Sequence, residues 1–220
     1  MFRKGFTLAE MLMTLAILGI VATVTMVILL PNIQEAHLRT QWKGTYSEFA
    51  QVSREFATDN GGDLAGTFTS YDDLMSKILA YMNYTKKCNV GTPVGSNGCW
   101  SGTTYKLSGQ IYGINMSIWT RAVLNNGVLI TLYVDNYSCT SNSGGRGNTC
   151  ASVSFDVNGF RGPNKWGKDI FAVWLLRDGN IRPGGSQGDI LYNYPAGYSC
   201  DVATYPNTQG SSCAAEYLKR

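Results

Sequence analysis

Residues 4–31 read KGFTLAEMLMTLAILGIVATVTMVILLP, and the reading of this stretch decides the fold. From Met11 to Leu30 it contains only Leu, Ile, Val, Ala, Met, Thr and one Gly. A helix needs about 20 such residues to span the hydrocarbon core of a bilayer. A cleaved secretory signal would have a shorter core, ~7 to 15 residues, and a small-x-small site after it. Here the run ends in Val27-Ile28-Leu29-Leu30-Pro31, which offers no such site. Arg3 and Lys4 precede the span, whereas Glu35, Arg39 and Lys43 beyond it nearly balance. The positive-inside rule therefore places the N-terminus in the cytoplasm and everything after Pro31 outside.

Glu10 is the anomaly in this segment. A charge at the centre of a membrane helix costs roughly 2.5 to 3.5 kcal/mol, and a residue near the end incurs part of that. Between Glu10 and Arg39 there is no basic side chain except the lone His37. The carboxylate therefore snorkels to the interface or finds a partner from elsewhere.

The order Lys4-Gly5-Phe6-Thr7-Leu8-Ala9-Glu10 before an apolar helix closely resembles the prepilin processing site of the type IV filament superfamily. That superfamily comprises type IV pilins, type II secretion pseudopilins and competence pseudopilins. The resemblance covers about the first thirty residues. It implies cleavage between Gly5 and Phe6 by prepilin peptidase and N-methylation of Phe6. It also implies assembly through Glu10, whose carboxylate would meet the Phe6 amine of a neighbouring subunit. Pairing makes a buried charge far less costly than leaving it alone. Gly19 and Pro31 suit a helix that loosens locally on assembly, since Pro removes an internal hydrogen bond and Gly lowers helix propensity. Pro31 equally suits a boundary between membrane and outer helix.

The expected organisation is a leader over 1–5, a transmembrane assembly helix over 6–30, an amphipathic stalk helix over 31–58 and an extracytoplasmic head over 59–220. Leu38, Trp42, Tyr46, Phe49, Ser53 and Phe56 recur on one helical face, with most charges off it. Glu35 and Arg39 stand four apart in the favourable order. Asp59-Asn60-Gly61-Gly62 stops the helix. Ser70 and Asp73 open a second helix running to Met82, in a capping-box-like arrangement. Strands are expected over 111–119, 122–124, 128–134, 153–157 and 170–176, with turns at Asn125-Asn126-Gly127 and Asp178-Gly179-Asn180. The fold class is α+β: a long N-terminal helix packed on an antiparallel β-sheet head with disulfide-bounded loops.

Cys88, Cys99, Cys139, Cys150, Cys200 and Cys213 all lie in the outer part. Six cysteines allow fifteen pairings, yet each consecutive pair encloses a turn-rich segment of similar length. Consecutive pairing, 88 with 99, 139 with 150 and 200 with 213, is the expectation, and with it an oxidising location. Zinc is disfavoured, because there is no Cys-x-x-Cys and His37 is the single histidine. That histidine would also have to serve any Ser-His-Asp or Cys-His hydrolase from the stalk. Asp72 and Asp73 are adjacent on a helix and diverge, and Gly144-Gly145-Arg146-Gly147 lacks the lysine of a phosphate loop. No enzyme is expected.

Asp156, Asn158, Asn164 and Asp169 place oxygen ligands around one tight turn, as calcium requires. Arg161 stands where an EF-hand needs Gly and Gly167 where it needs Glu, so the competing reading is a structural turn. Calcium is the only cofactor expectation, and none is required for the filament role.

Net charge is +3, and loss of Arg3 and Lys4 leaves +1 (3 − 2), too little field for nucleic acid unless Lys86, Lys87 and Arg121 form a local patch. No nucleic acid partner is expected. The resulting expectation is a structural subunit, anchored by one span in the inner membrane with a periplasmic or extracellular head, that becomes part of a surface filament or pseudopilus. Its partners would be other pilin-like subunits, the peptidase, an inner-membrane platform and an assembly motor. The competing readings are a membrane-anchored binding module or adhesin that uses exposed aromatics, and a competence pseudopilin in DNA uptake.

Overall fold

The computed structural model describes residue 5 and residues 7–95 and 98–219, with the backbone alone for Val27 and Ile28. The chain forms two units, one up to His37 and one from Leu38 onward. Helix α1 (Leu8–Asp59) is 52 residues long and runs unbroken through Pro31. It is the one helix among the described residues long and apolar enough to cross a membrane. The described large apolar side chains from Leu8 to Ile33, Val27 and Ile28 apart, are at least 51 % exposed.

In the second unit one face of α1 is fully committed. Leu38, Trp42, Phe49, Val52 and Phe56 are buried, spaced three, four or seven apart as a helical stripe requires. Trp42 stacks on Phe171 with ring centroids 4.7 Å apart and donates its indole N–H to Ala214 O at 3.1 Å. Phe49 meets Phe155 edge-on at 5.0 Å. Helix α2 (Tyr71–Leu79) adds Leu74, Met75, Ile78 and Leu79 to the same core. Ser70 Oγ accepts the Asp73 N–H at 3.0 Å, and Asp73 reaches back to the Thr69 N–H at 2.9 Å. The helix stops three residues short of Met82.

The sheet has six strands: β1 (Tyr84–Cys88), β4 (Thr120–Leu124), β5 (Leu129–Val134), β6 (Thr149–Asp156), β7 (Ile170–Leu176) and β8 (Ile181–Pro183), in the order β1-β4-β5-β6-β7-β8 and antiparallel throughout. The expected strand over 111–119 is not formed. Ile111–Tyr112 (β3) pairs with Thr104–Tyr105 (β2), and Met116–Ile118 is a 3₁₀ turn whose Asn115 side chain accepts the Ser117 N–H. The reason is tertiary: the excursion between β1 and β4 lies over the second face of the sheet. Trp100, Met116 and Trp166 form a second core there with Leu129, Ile170 and Ala172. Strand β7 therefore sends Ile170 and Ala172 to one core and Phe171, Val173 and Leu175 to the other.

Gly127, at φ +85°, closes the β4–β5 turn, where Leu124 N–H bonds Val128 O at 2.9 Å. Gly179, at φ +76°, closes the β7–β8 turn, and a Cβ on it would overlap Ala57 and Ser53 O of α1. The chain ends in three short helices, α3 (Ile190–Asn193), α4 (Pro195–Tyr198) and α5 (Cys213–Lys219). Disulfides join Cys88 to Cys99, Cys139 to Cys150 and Cys200 to Cys213. In the chain-entropy view each closes a short loop worth roughly 3 kcal/mol.

Asp135 follows β5 and accepts the Ser143 hydroxyl at 2.9 Å, while its other oxygen is buried without a partner. Burial raises its pKa to about 6. The folded state then holds this proton where the unfolded chain, near 3.9, has released it. Stability should therefore fall as pH rises from about 4 to about 6. Asp135→Asn should match the parent near pH 4 and exceed it by about 3 kcal/mol at pH 7 in urea denaturation. A pH-independent difference would refute this assignment.

Candidate functional site

Glu10 lies in the first turn of α1. Thr7 is the residue before the helix, and the two exchange hydrogen bonds. Thr7 N–H donates to Glu10 Oε2 at 2.8 Å, Thr7 Oγ1 donates to the same oxygen at 2.9 Å, and Glu10 N–H donates to Thr7 Oγ1 at 3.3 Å. This is a capping box, which satisfies helix-end donors reciprocally. Its sequence signal is Thr-x-x-Glu at 7–10, and it gives Glu10 a partner within its own chain. Hydrogen bonds to a carboxylate stabilise it without neutralising its charge, so a cation still has something to add. Thr14, Thr23 and Thr25 satisfy their hydroxyls on carbonyls one turn back, for example Thr14 on Met11 O at 2.9 Å, which lets hydroxyls lie on an apolar helix. Phe6, the expected cleavage and methylation position, and residues 1–4 of the expected leader lie outside the described residues, while Gly5 is exposed.

Residues 1–29 match the prokaryotic N-terminal methylation motif. The chain carries the N-terminal methylation motif of the type IV pilin and pseudopilin superfamily. No curated protein and no solved structure matches the chain. Alongside this motif the chain has the long α1, an antiparallel sheet packed on its second half and three disulfides.

The second candidate lies at the β6–β7 connection of the pilin-like chain. Asp156 ends β6 and Asp169 precedes β7, so hairpin pairing draws them together, with Val157 N–H bonding Asp169 O at 2.9 Å. Both carboxylates are fully buried. Asp169 accepts the N–H groups of Asn164 and Lys165 at 2.8 and 2.5 Å. With its amide nitrogen assigned toward acceptors, Asn164 donates to Asp156 Oδ2 and Arg161 O, both at 3.2 Å. Asn158 spends its amide nitrogen on Gly162 O at 3.1 Å. Two oxygens remain buried and without a hydrogen bond, Asp156 Oδ1 and Asn158 Oδ1. Burial, and then the Asp169 charge, push Asp156 well above the usual carboxylate range. A cation would find two open acceptors here. The remaining atoms are already engaged in the turn, and among the described residues no cluster of three or more His, Cys, Asp and Glu side chains is arranged to hold a metal.

The basic patch is not assembled. Arg121 is fully buried opposite Cys88 and donates to the carbonyls of Trp119 and Thr92. Lys87 is turned to Asp72 O and Ser76 Oγ. Asp72 and Asp73 diverge as expected of helix neighbours, the first to the Val90 N–H and the second to Thr69 and Lys77. Gly144 and Gly145 are required by packing, since a Cβ on them would strike Trp174 and Gly188 O respectively. His37 is exposed in α1.

Proposed function

We propose that this chain is a non-enzymatic structural subunit of a type IV filament-family assembly, a type II secretion pseudopilus or a type IV pilus. In this reading it is held in the inner membrane by α1 with its N-terminus cytoplasmic, cut after Gly5 by prepilin peptidase and methylated at Phe6. It then packs with other pilin-like subunits, drawn by a platform protein and a motor. The observation that carries the reading is the methylation motif at the head of a 52-residue helix whose first half exposes its apolar side chains. A helix apolar all round is stable when lipid or other helices cover it. Mass spectrometry of the mature chain should find Phe6 first and carrying one methyl group. An N-terminus at Met1, or a cut near residue 30, would sink the proposal.

A second proposal concerns the β6–β7 connection. We infer that it takes up calcium through Asp156 Oδ1 and Asn158 Oδ1, the two buried oxygens without hydrogen bonds, with water completing the 6–8 ligands that calcium takes. Calcium at a hundredfold over its dissociation constant would stabilise by about 2.7 kcal/mol. In a chain of this size that is a rise in melting temperature of roughly 5 to 10 °C over the value in chelator. The rise should vanish in Asp156→Asn. Equal melting with calcium and with chelator would leave the connection as a hydrogen-bonded turn.

A further inference from the structure

The segment from Ile190 to Tyr205 concentrates exposed ring surface. Tyr194 is 62 % exposed, Tyr192 51 % and Ile190 40 %. It encloses a groove of about 700 Å³ walled by Tyr194, Tyr198, Tyr205, Pro195, Ile190 and Asn193, with Ala196 and Gly197 between them. No charged side chain lines it.

The frame of this groove is fixed by bonds of its own. Asp189 holds the start of α3 by accepting the Tyr192 N–H at 2.7 Å. Gln209 N–H bonds Gly197 O at 2.8 Å, Ser212 N–H bonds Tyr198 O at 2.9 Å, and Thr208 Oγ1 bonds Ser199 O at 2.7 Å. The Cys200–Cys213 disulfide closes the loop behind it. A wall with exposed rings on a tied backbone is preorganised, and preorganisation lowers the ordering cost of binding.

The chemistry of the lining selects the ligand class. Without a cation the groove offers phosphate no counter-charge, which disfavours a nucleotide despite the stacking surface. A peptide added as a strand needs open backbone groups. Here the carbonyls of Ile190, Tyr194, Pro195 and Gly197 are already taken by Tyr194, Gly197, Ser199 and Gln209 N–H groups. A lipid chain has no use for three phenol groups and an amide in the wall. An uncharged molecule with flat C–H faces and hydroxyl edges uses both. Tyrosine rings offer apolar faces with a polar tip, and Asn193, which spends its nitrogen on Gly188 O at 3.5 Å, keeps its carbonyl oxygen for a hydroxyl.

We propose that this tyrosine-lined groove is a binding site for a neutral saccharide, stacked on Tyr194 and Tyr205 and hydrogen-bonded by Asn193. The proposal is independent of filament assembly, since it rests on residues of the second unit alone. It is tested on the full chain in a phosphocholine detergent, which carries no sugar headgroup, with maltotriose, cellotriose and N,N′-diacetylchitobiose as probes in saturation-transfer NMR and titration. At least one probe should bind. Tyr194→Ala should weaken it about tenfold or more, as loss of a binding anchor does, and Tyr194→Phe should keep it within about threefold. The exposure of Tyr194 predicts that both variants melt with the parent, which separates lost binding from lost fold. No transfer to any of the three sugars overturns the proposal, and so does binding that survives Tyr194→Ala. Uptake of a proline-rich decapeptide with no sugar signal reassigns the groove to peptide.

Discussion

Glu10→Gln is expected to be cut and methylated normally, to fold its second unit normally and to fail at filament assembly. The substitution separates the capping role that the structure shows from the counter-ion role proposed for the same carboxylate. As the partner of Thr7, Glu10 closes a capping box, and glutamine serves in that position nearly as well as glutamate. As the proposed counter-ion of a neighbour's Phe6 amine, it would have to be negative, and glutamine is not. Once neighbouring helices cover the pair, removing one charge leaves the other unpaired in low dielectric, and affinity at each subunit contact should fall more than a hundredfold. Electron microscopy of sheared filaments, with immunoblots of the membrane-held chain, would read the result. Normal filaments from Glu10→Gln with loss in Glu10→Ala would assign Glu10 to capping alone. Thr7→Val, which removes the hydroxyl and leaves the charge, should then behave as Glu10→Ala does; under the proposed pairing it assembles better than Glu10→Gln.

Asp189→Ala should produce the largest loss of stability of any single polar substitution in the second unit. The carboxylate is fully buried, and four donors converge on it: Trp174 Nε1 at 3.0 Å, Gly185 N–H at 2.8 Å, Ser186 N–H at 3.0 Å and Tyr192 N–H at 2.7 Å. It thereby ties strand β7, the turn after β8 and the first turn of α3 to a single point. Alanine removes the acceptor and leaves the donors behind, and each buried donor left unsatisfied costs about 1 to 3 kcal/mol unless water reaches it. The expected loss is about 4 kcal/mol, or roughly 10 °C in melting temperature for a chain of this size. Asp189→Asn keeps one acceptor oxygen and should lose about half as much. Tryptophan fluorescence in urea, with the disulfides intact, measures both. A loss under about 1 kcal/mol for alanine would show that the four bonds are replaced by water at little cost.

Elements with a local cause were legible. The stripe from Leu38 to Phe56 declares its buried face because helical spacing is a property of the chain itself, and the structure buries those positions, Tyr46 only in part. Asn125-Asn126-Gly127 and Asp178-Gly179-Asn180 declare their turns because glycine at positive φ is a local requirement. The Thr7–Glu10 box is equally local in its signal, Thr-x-x-Glu, although a carboxylate in an apolar segment points first to a counter-ion. The excursion from Asn89 to Trp119 was not legible. Its apolar residues at 111–119 have strand-like composition, yet Tyr112, Ile114, Met116 and Trp119 are used to cover a sheet face, and composition does not reveal which surface a residue will meet. Arg121 shows the same limit, since basic residues are ordinarily exposed and this one is enclosed between carbonyls.

The sequence by itself determined the apolar N-terminal helix, its methylation motif and the α+β class, because length, hydropathy and residue order along the chain carry those directly. Only the tertiary structure decided that the sheet is covered on both faces, that Asp156 and Asp169 are buried side by side, that four donors meet at Asp189 and that three tyrosines wall one groove. Each of these depends on residues far apart in the chain meeting at one place. Such meetings are fixed by strand register and by which surfaces exclude water, and neither is written in any local stretch.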